Sequence, residues 1–209
     1  MIAIIDYDAG NLTSVSRAVS HLGMPNVITR TADEIKAAQR IIFPGVGAAG
    51  AAMESLKGSG LDKIIKEEFA KGKPILGICL GTQIILSHSE ENNTSCLGIL
   101  PGTVRAFAPH NRSKDGQKLK IPHMGWNGIR IDRSHPLLSG VGADDEFYFV
   151  HSFYPEPEDN ASVIAVTDYG ISFASIVGFN NLFATQFHLE KSGRPGLKIL
   201  ENFCRWIPS

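Results

Sequence analysis

The first 88 residues alternate short, isoleucine-rich apolar runs with segments of helical periodicity, and this rhythm restricts the fold more than any other feature of the chain. Continuous apolar runs belong to strands buried on both faces, so the pattern predicts parallel βαβ units with helices covering both sides of a sheet. Strands are expected at residues 2–6, Asn26–Thr29, 40–44 and 74–79. Asn11 can cap a helix whose apolar stripe, Val15, Ala18, Val19 and Leu22, stops at Gly23 and Pro25. Two helical stretches follow the third strand, the second over residues 61–71. Residues 80–88 turn helical directly after the fourth strand, and residues 89–95 are expected as a polar loop.

From residue 97 the pattern becomes strand-like runs between turns, at 103–107, 126–131, Glu146–His151, 163–167, 174–179 and 182–188. A helix over residues 196–207 closes the chain, with Leu197, Ile199, Leu200, Phe203 and Ile207 inward. Pro101 with Gly102 and residues 111–116 are expected as surface loops. The fold class is therefore a three-layer α/β fold, its mostly parallel central sheet carrying a mixed or antiparallel extension, with residues 1–209 as a single domain.

Lys and Arg total 20 against 21 for Asp and Glu, which gives no electrostatic footprint of a nucleic-acid or membrane-surface binder. Cys79, Cys96 and Cys204 fit neither a paired framework nor zinc-site spacing, and no cationic leader or membrane-length apolar run is visible. A reducing, cytoplasmic setting is expected.

Gly77, Ile78, Cys79, Leu80 and Gly81 have the glycine-framed form of a nucleophile elbow, with extended chain before the central residue and helix after it. Flanking glycines permit strained backbone angles and close approach of strand to helix. A thiol of ordinary pKa, ~8.5, is only about 3% ionised at pH 7, and a helix start lowers that value. A lone cysteine is more often a small buried residue. The two glycines and the abrupt switch favour a nucleophile at Cys79, whereas Cys204 lies on a core-directed helix and Cys96 has no such frame.

A thiol nucleophile needs a base. His21 lies on a surface helix, His110 in a polar segment and His135 in a turn, so all three are expected to be solvated. If residues 80–88 are helical, His88 is roughly 13 Å along the axis from the thiol, out of reach. His123, His151 and His188 remain. His188 ends a strand, where active-site groups collect in α/β sheets, and Glu190 two residues on would share its face in an extended segment. His151 ends a comparable strand without a following carboxylate, so the residues favour His188 without eliminating His151.

Gly45, Val46, Gly47, Ala48, Ala49 and Gly50 match a dinucleotide fingerprint, but after the third strand, behind Pro44, and without an acid ending the next strand. The same turn could instead offer backbone N–H groups to an oxyanion together with that of Leu80, or be a plain tight turn.

Taken together, PGVG at 44–47, PILGICLGTQ at 74–83, PHMGWN at 122–127, FVHSF at 149–153 and QFHLEKSG at 186–193 resemble the triad-type class I glutamine amidotransferases over nearly the whole chain. PHMGWN, the closing QFHLEKSG and the DYDAGNL opening at 6–12 are similar to the branch of that family serving imidazole glycerol phosphate synthesis. The resemblance implies that Cys79 attacks the side-chain amide of glutamine, His188 relays protons and Glu190 orients His188. It implies an oxyanion hole from Leu80 with Gly45, Val46 and Gly47, and substrate contacts from Gln83 and the backbone at His151, Ser152 and Phe153. No cofactor and no metal are implied. Ammonia would pass to a separate (β/α)8 cyclase subunit in a heterodimer, with Asn11, His123, Met124, Gly125, Trp126 and Asn127 as candidates for the partner face. Trp126 could equally be a core residue. Leu189 stands where the family usually has proline, and Thr82 where it often has methionine.

Overall fold

The computed structural model describes every residue except 111, 114 and 209. Four strands and four helices come first: β1 (Ile2–Ile5), α1 (Leu12–His21), β2 (Asn26–Thr29), α2 (Ala32–Ala37), β3 (Arg40–Gly45), α3 (Ala49–Ser59), α4 (Leu61–Ala70) and β4 (Ile75–Cys79). After α5 (Leu80–Ile84) the strands dominate: β5 (His88–Ser89), β6 (Thr94–Ser95), β7 (Gly102–Ala106), β8 (His123–Gly128), β9 (Arg130–Ile131), β10 (Glu146–His151), β11 (Phe153–Pro157), β12 (Val163–Tyr169), β13 (Ile171–Phe179) and β14 (Leu182–Thr185). Helix α6 (Gly193–Arg205) is the last element.

The main sheet runs β2-β1-β3-β4-β14-β13-β12-β9. Its first five strands are parallel, and β13, β12 and β9 extend it antiparallel. This is the expected mixed architecture. Every residue of β1 is buried because both faces are covered. Ala3 and Ile5 pack with Ile41, Phe43 and Ile75 against α2, α3 and α4, while Ile2 and Ile4 pack with Ile42, Leu76 and Ile78 against Val15 and Val19 of α1 and Ile199, Leu200 and Phe203 of α6. A second sheet, β11-β7-β5-β6, and the hairpin-like pair β10-β8 lie beside the main one.

Several expected boundaries move. Helix α5 stops at Ile84 instead of continuing to His88. The N–H groups of Leu97 and Ile99 take the carbonyls of Ile84 and Ile85, at 2.9 Å each, so a returning loop occupies the acceptors that further turns would use. His88 is thus on β5, which invalidates the helical-rise argument about it, and the polar stretch at 89–95 carries part of β5, a 3-10 turn and β6. The strand expected at 126–131 starts at His123 and breaks at Ile129. Helix α6 begins three residues earlier than expected and ends at Arg205. Trp206 turns extended and buries itself, and Pro208 disfavours helix at the residue before it, so Ile207 points into solvent instead of the core.

The short α2 and strand β11 have no clear apolar signature, and the sequence did not announce them. Of the loop expected at 111–116, residues 111 and 114 lie outside the described residues; Arg112 forms a bridge with Lys118. No helix among the described residues is long and apolar enough to cross a membrane.

Candidate active site

Register places the chemistry. Ile78 on β4 pairs with Thr185 on β14, and Cys79 pairs with Gly45 on β3, so the carboxyl ends of three adjacent parallel strands converge around one thiol. Cys79 has φ 53° and ψ −106°, left-handed backbone that costs a β-carbon-bearing residue about 1–3 kcal/mol. The strain sits on the cysteine itself. The flanking glycines serve close approach instead: a Cβ on Gly81 would lie 1.8 Å from the Phe43 carbonyl oxygen, and one on Gly77 2.8 Å from the Ala184 Cβ. Any side chain at either position would push α5 off the sheet and the thiol out of register.

Leu80 follows the thiol and begins α5. Together with Val46, Gly47 and Tyr7 it lines a cleft of about 180 Å³, and Gly47 has φ 112°. The Tyr7 hydroxyl donates to the Pro44 carbonyl at 2.6 Å, pinning the chain just before Gly45. Burial, reinforced by Cys79, pushes the Tyr7 phenol well up, so it remains a neutral donor. At the start of α3 the Ala49 N–H donates to the Glu91 carboxylate at 2.6 Å. A carboxylate already holds the place a dinucleotide's pyrophosphate would need, and the fingerprint reading of residues 45–50 loses its physical basis. Larger grooves of about 490 Å³ elsewhere contain none of these groups.

His188 lies three residues beyond β14, where the chain stays extended but changes partner. Its N–H donates to the Tyr148 carbonyl of β10 at 2.9 Å. The next three residues form a 3-10 turn, not an extended segment, so the reason expected for a shared face does not apply. The pairing forms nonetheless: His188 Nδ1 and Glu190 Oε1 are 2.7 Å apart with both side chains sealed from solvent. Leu189, where proline would fix the backbone, is wholly buried in the apolar cluster under α6 and anchors the turn by packing. Burial alone would lower the His188 pKa, but the Cys79 and Glu190 side chains outweigh it and raise the value to about 9. Nε2 is buried without a hydrogen-bond partner among the described residues, within the influence of the thiol.

Asn11 occupies the first position before α1 but makes no side-chain cap there. Its amide donates to Glu190 Oε1 instead, through a very short contact that ties the half-buried Asn11 to the site. Hydrogen bonds to a charged acceptor contribute about 1.5–3 kcal/mol. Gln83 is buried, its amide donating to the Phe153 carbonyl at 3.0 Å and to Gln186 Oε1 at 3.2 Å. Thr82 donates to the Thr185 carbonyl at 2.6 Å, tying α5 to β14 with a group methionine lacks.

The other histidine at a strand end goes elsewhere. His151 Nδ1 meets the Phe153 carbonyl at 2.7 Å, and its Nε2 meets His123 Nδ1 at 3.0 Å. Since a carbonyl only accepts, His151 carries its proton on Nδ1 and His123 donates to Nε2. Asn127 reaches His123 Nε2 at 3.3 Å. Burial, the dominant cause in both, lowers the pKa of His151 to about 3 and that of His123 to about 4. The Ser152 carbonyl accepts from the Phe107 N–H at 3.1 Å. His135 is not solvated as expected: it packs between Phe183 and Trp206, and burial lowers its pKa to about 4. Burial raises the Cys96 thiol to about 11 and lifts Cys204 as well, leaving both poor nucleophiles.

Along β8, Met124 and Trp126 are 61% and 53% exposed, and Trp126 meets Tyr148 edge to face. Trp126 is therefore not a core residue. His123 is buried on the opposite face of the strand, so its ring cannot offer itself to a partner; Gly125 and Asn127 are half-buried.

A strained cysteine at the end of a parallel strand, opposite a buried histidine and carboxylate, defines an amidotransferase-like site. The glutamine amidotransferase class-I family matches residues 3–206, and the chain belongs to it. It is 52% identical over 206 residues to the imidazole glycerol phosphate synthase subunit HisH of Nitratidesulfovibrio vulgaris strain DP4, covering 99% of this chain and 96% of that one. It is 46% identical to the HisH subunit of Aromatoleum aromaticum, covering 99% of each. Within the class the chain is one of the HisH family. A glutamine amidotransferase crystal structure at 16% identity superposes with TM-score 0.74, over 98% of this chain and all of the other. The crystal structure of a putative GMP synthase protein from Thermoplasma acidophilum, 20% identical, superposes with TM-score 0.71, over 97% of this chain and 90% of that one.

The residues that sequence reasoning missed are Tyr7 and Gln186. Tyr7 lies in the opening motif, and Gln186 precedes the histidine by two positions in the closing one; position within the motif was the available signal.

Proposed function

We propose that this single-domain chain hydrolyses glutamine to glutamate and ammonia through Cys79, His188 and Glu190. The observation that carries the reading is the sealed His188–Glu190 pair at 2.7 Å beside a cysteine with φ 53°. Cys79 Sγ attacks the amide carbon of the glutamine side chain, and the oxygen's developing charge is met by the N–H groups of Leu80 and of the Gly45, Val46 and Gly47 segment. His188, protonated at neutral pH, delivers its Nε2 proton to the departing ammonia. Glu190 supports the imidazolium, and the same histidine then activates the water that cleaves the γ-glutamyl thioester. Gln83 and the backbone at His151, Ser152 and Phe153 hold the substrate, with Gln83 offering its carbonyl because both amide hydrogens are committed.

The partner is a (β/α)8 cyclase that receives the ammonia and forms imidazole glycerol phosphate and an aminoimidazole carboxamide ribotide, in the cytoplasm. The relatives' names, each a subunit of imidazole glycerol phosphate synthase, support a partner subunit and that synthesis as the destination of the ammonia. Exposed Met124 and Trp126 are its apolar anchors. Trp126 lies opposite Tyr148, whose carbonyl holds the His188 N–H, so docking on β8 bears on the base through one residue. Asn11, half-buried and bonded to Glu190, joins the partner face to the carboxylate of the site.

The test is ammonia release by Cys79→Ala with the histidine-pathway cyclase and its nucleotide present. Hydrolysis should fall at least about a thousandfold while the variant still binds the cyclase, as expected when a covalent nucleophile is removed. Retention of the parental rate would refute the nucleophile.

A further inference from the structure

Gln186 is completely buried, two residues before His188, and its Nε2 lies 3.7 Å from Cys79 Sγ. The orientation of an amide is ordinarily ambiguous, but here the surroundings determine it. The Phe153 carbonyl can only accept, so Gln83 must present its nitrogen there. The second hydrogen of that nitrogen points at Gln186, at 3.2 Å, which requires Gln186 to face it with Oε1. Reversing Gln186 would set two N–H groups against each other in a dry interior. Its own N–H is thereby left for the sulfur. Such a bond is stronger to a thiolate than to a thiol, because a charged acceptor strengthens it.

We propose that Gln186 is a further catalytic residue, donating to Cys79 Sγ to favour the thiolate and aim it, and that Gln83 is the positioning residue that keeps the Gln186 amide facing the right way. The titratable groups that interact with the thiol are Tyr7 from the segment after β1 and His188 after β14; Glu190 and His151 stand behind His188, each interacting with it and not with the thiol. Gln186 supplements His188 in this set with a donor that never changes charge, so its contribution persists above the pH at which the histidine deprotonates. The inference rests on Cys79 being the nucleophile.

The experiment follows the pH dependence of Cys79 alkylation by iodoacetamide in the full chain, with the Cys79 peptide quantified by mass spectrometry. Glutaminase kinetics are measured in parallel with the cyclase present. In Gln186→Met the alkylation midpoint should rise by about one pH unit, equivalent to a tenfold weaker ionisation constant of the thiol. The kcat should fall about tenfold and KM change less than about threefold. Gln83→Met should move the midpoint in the same direction by less, since it only releases the Gln186 amide to turn, and it decides the matter if Gln186→Met does not fold. An unmoved midpoint in a folded variant, even with reduced activity, means a packing role only and overturns the proposal. Cys79→Ala separates the two readings: hydrolysis surviving in that variant sinks the nucleophile, whereas an unmoved midpoint sinks only the role of Gln186.

Discussion

His151 ends β10 and His188 follows β14 by three residues; each is buried, and each has both ring nitrogens turned into the protein. Their charge states are nevertheless opposed, at about 9 for one and about 3 for the other. Desolvation favours the neutral ring in both. The difference lies in what stands beside them. His188 faces a carboxylate and a thiol, whereas His151 faces a carbonyl, a second histidine and the rings of Phe107 and Phe173. One nook therefore holds a proton, and the other is a neutral support that fixes the carbonyl on which Gln83 hangs.

Converting one nook into the other should have the largest effect. Glu190→Gln removes the carboxylate and leaves His188 in surroundings closer to those of His151; hydrolysis should drop on the order of a thousandfold, and the His188 titration should move down from about 9. An unchanged rate would show that Glu190 does not support the base. Next in size is the pH dependence of stability. His188 is held protonated, so its contribution is complete below the ordinary value of 6.5 and is lost as pH rises toward about 9. His123 and His151 are held neutral, so theirs is complete above 6.5 and is lost as pH falls toward about 4 and about 3. Denaturant midpoints across pH 4–9 should therefore decline on both sides, with Glu190→Gln flattening the alkaline side and His123→Phe the acid side.

His151→Phe should cost about 1–3 kcal/mol of stability by leaving His123 without its acceptor, yet reduce hydrolysis less than about tenfold. A loss as large as that of Glu190→Gln would mean that the supporting nook takes part in proton transfer. The smallest effect on the isolated chain is expected from Trp126→Ala, whose glutaminase rate alone should change less than about twofold. Its affinity for the cyclase should fall at least about tenfold by titration calorimetry, as for an exposed aromatic anchor.

The parallel half of the fold was legible because Ile2–Ile5 and Ile75–Cys79 are apolar throughout, which only a doubly covered strand requires. The elbow was legible because Gly77 and Gly81 are where side chains would collide with β14 and β3. Glu190 was found through spacing, though a 3-10 turn and not an extended segment brings it to His188. The length of α5 was not readable, since its end is set by Leu97 and Ile99 returning from a distance. Asn11 looked like a helix cap because asparagine before an apolar stripe usually is one, and only the fold could place Glu190, 179 residues away in sequence, against its amide. Gln186 gave no more than its place in the closing motif for the same reason: its partners come from α5 and the end of β4.

The most direct test of Cys79 as the glutamine-directed nucleophile is covalent trapping. The full chain, with its cyclase, is treated with a glutamine analogue bearing an electrophilic diazoketone in place of the side-chain amide, and the adduct is mapped by peptide mass spectrometry. One adduct per chain, on Cys79 and not on Cys96 or Cys204, formed in step with loss of hydrolysis and prevented by excess glutamine, is the predicted result. Inactivation with Cys79 unmodified would contradict it.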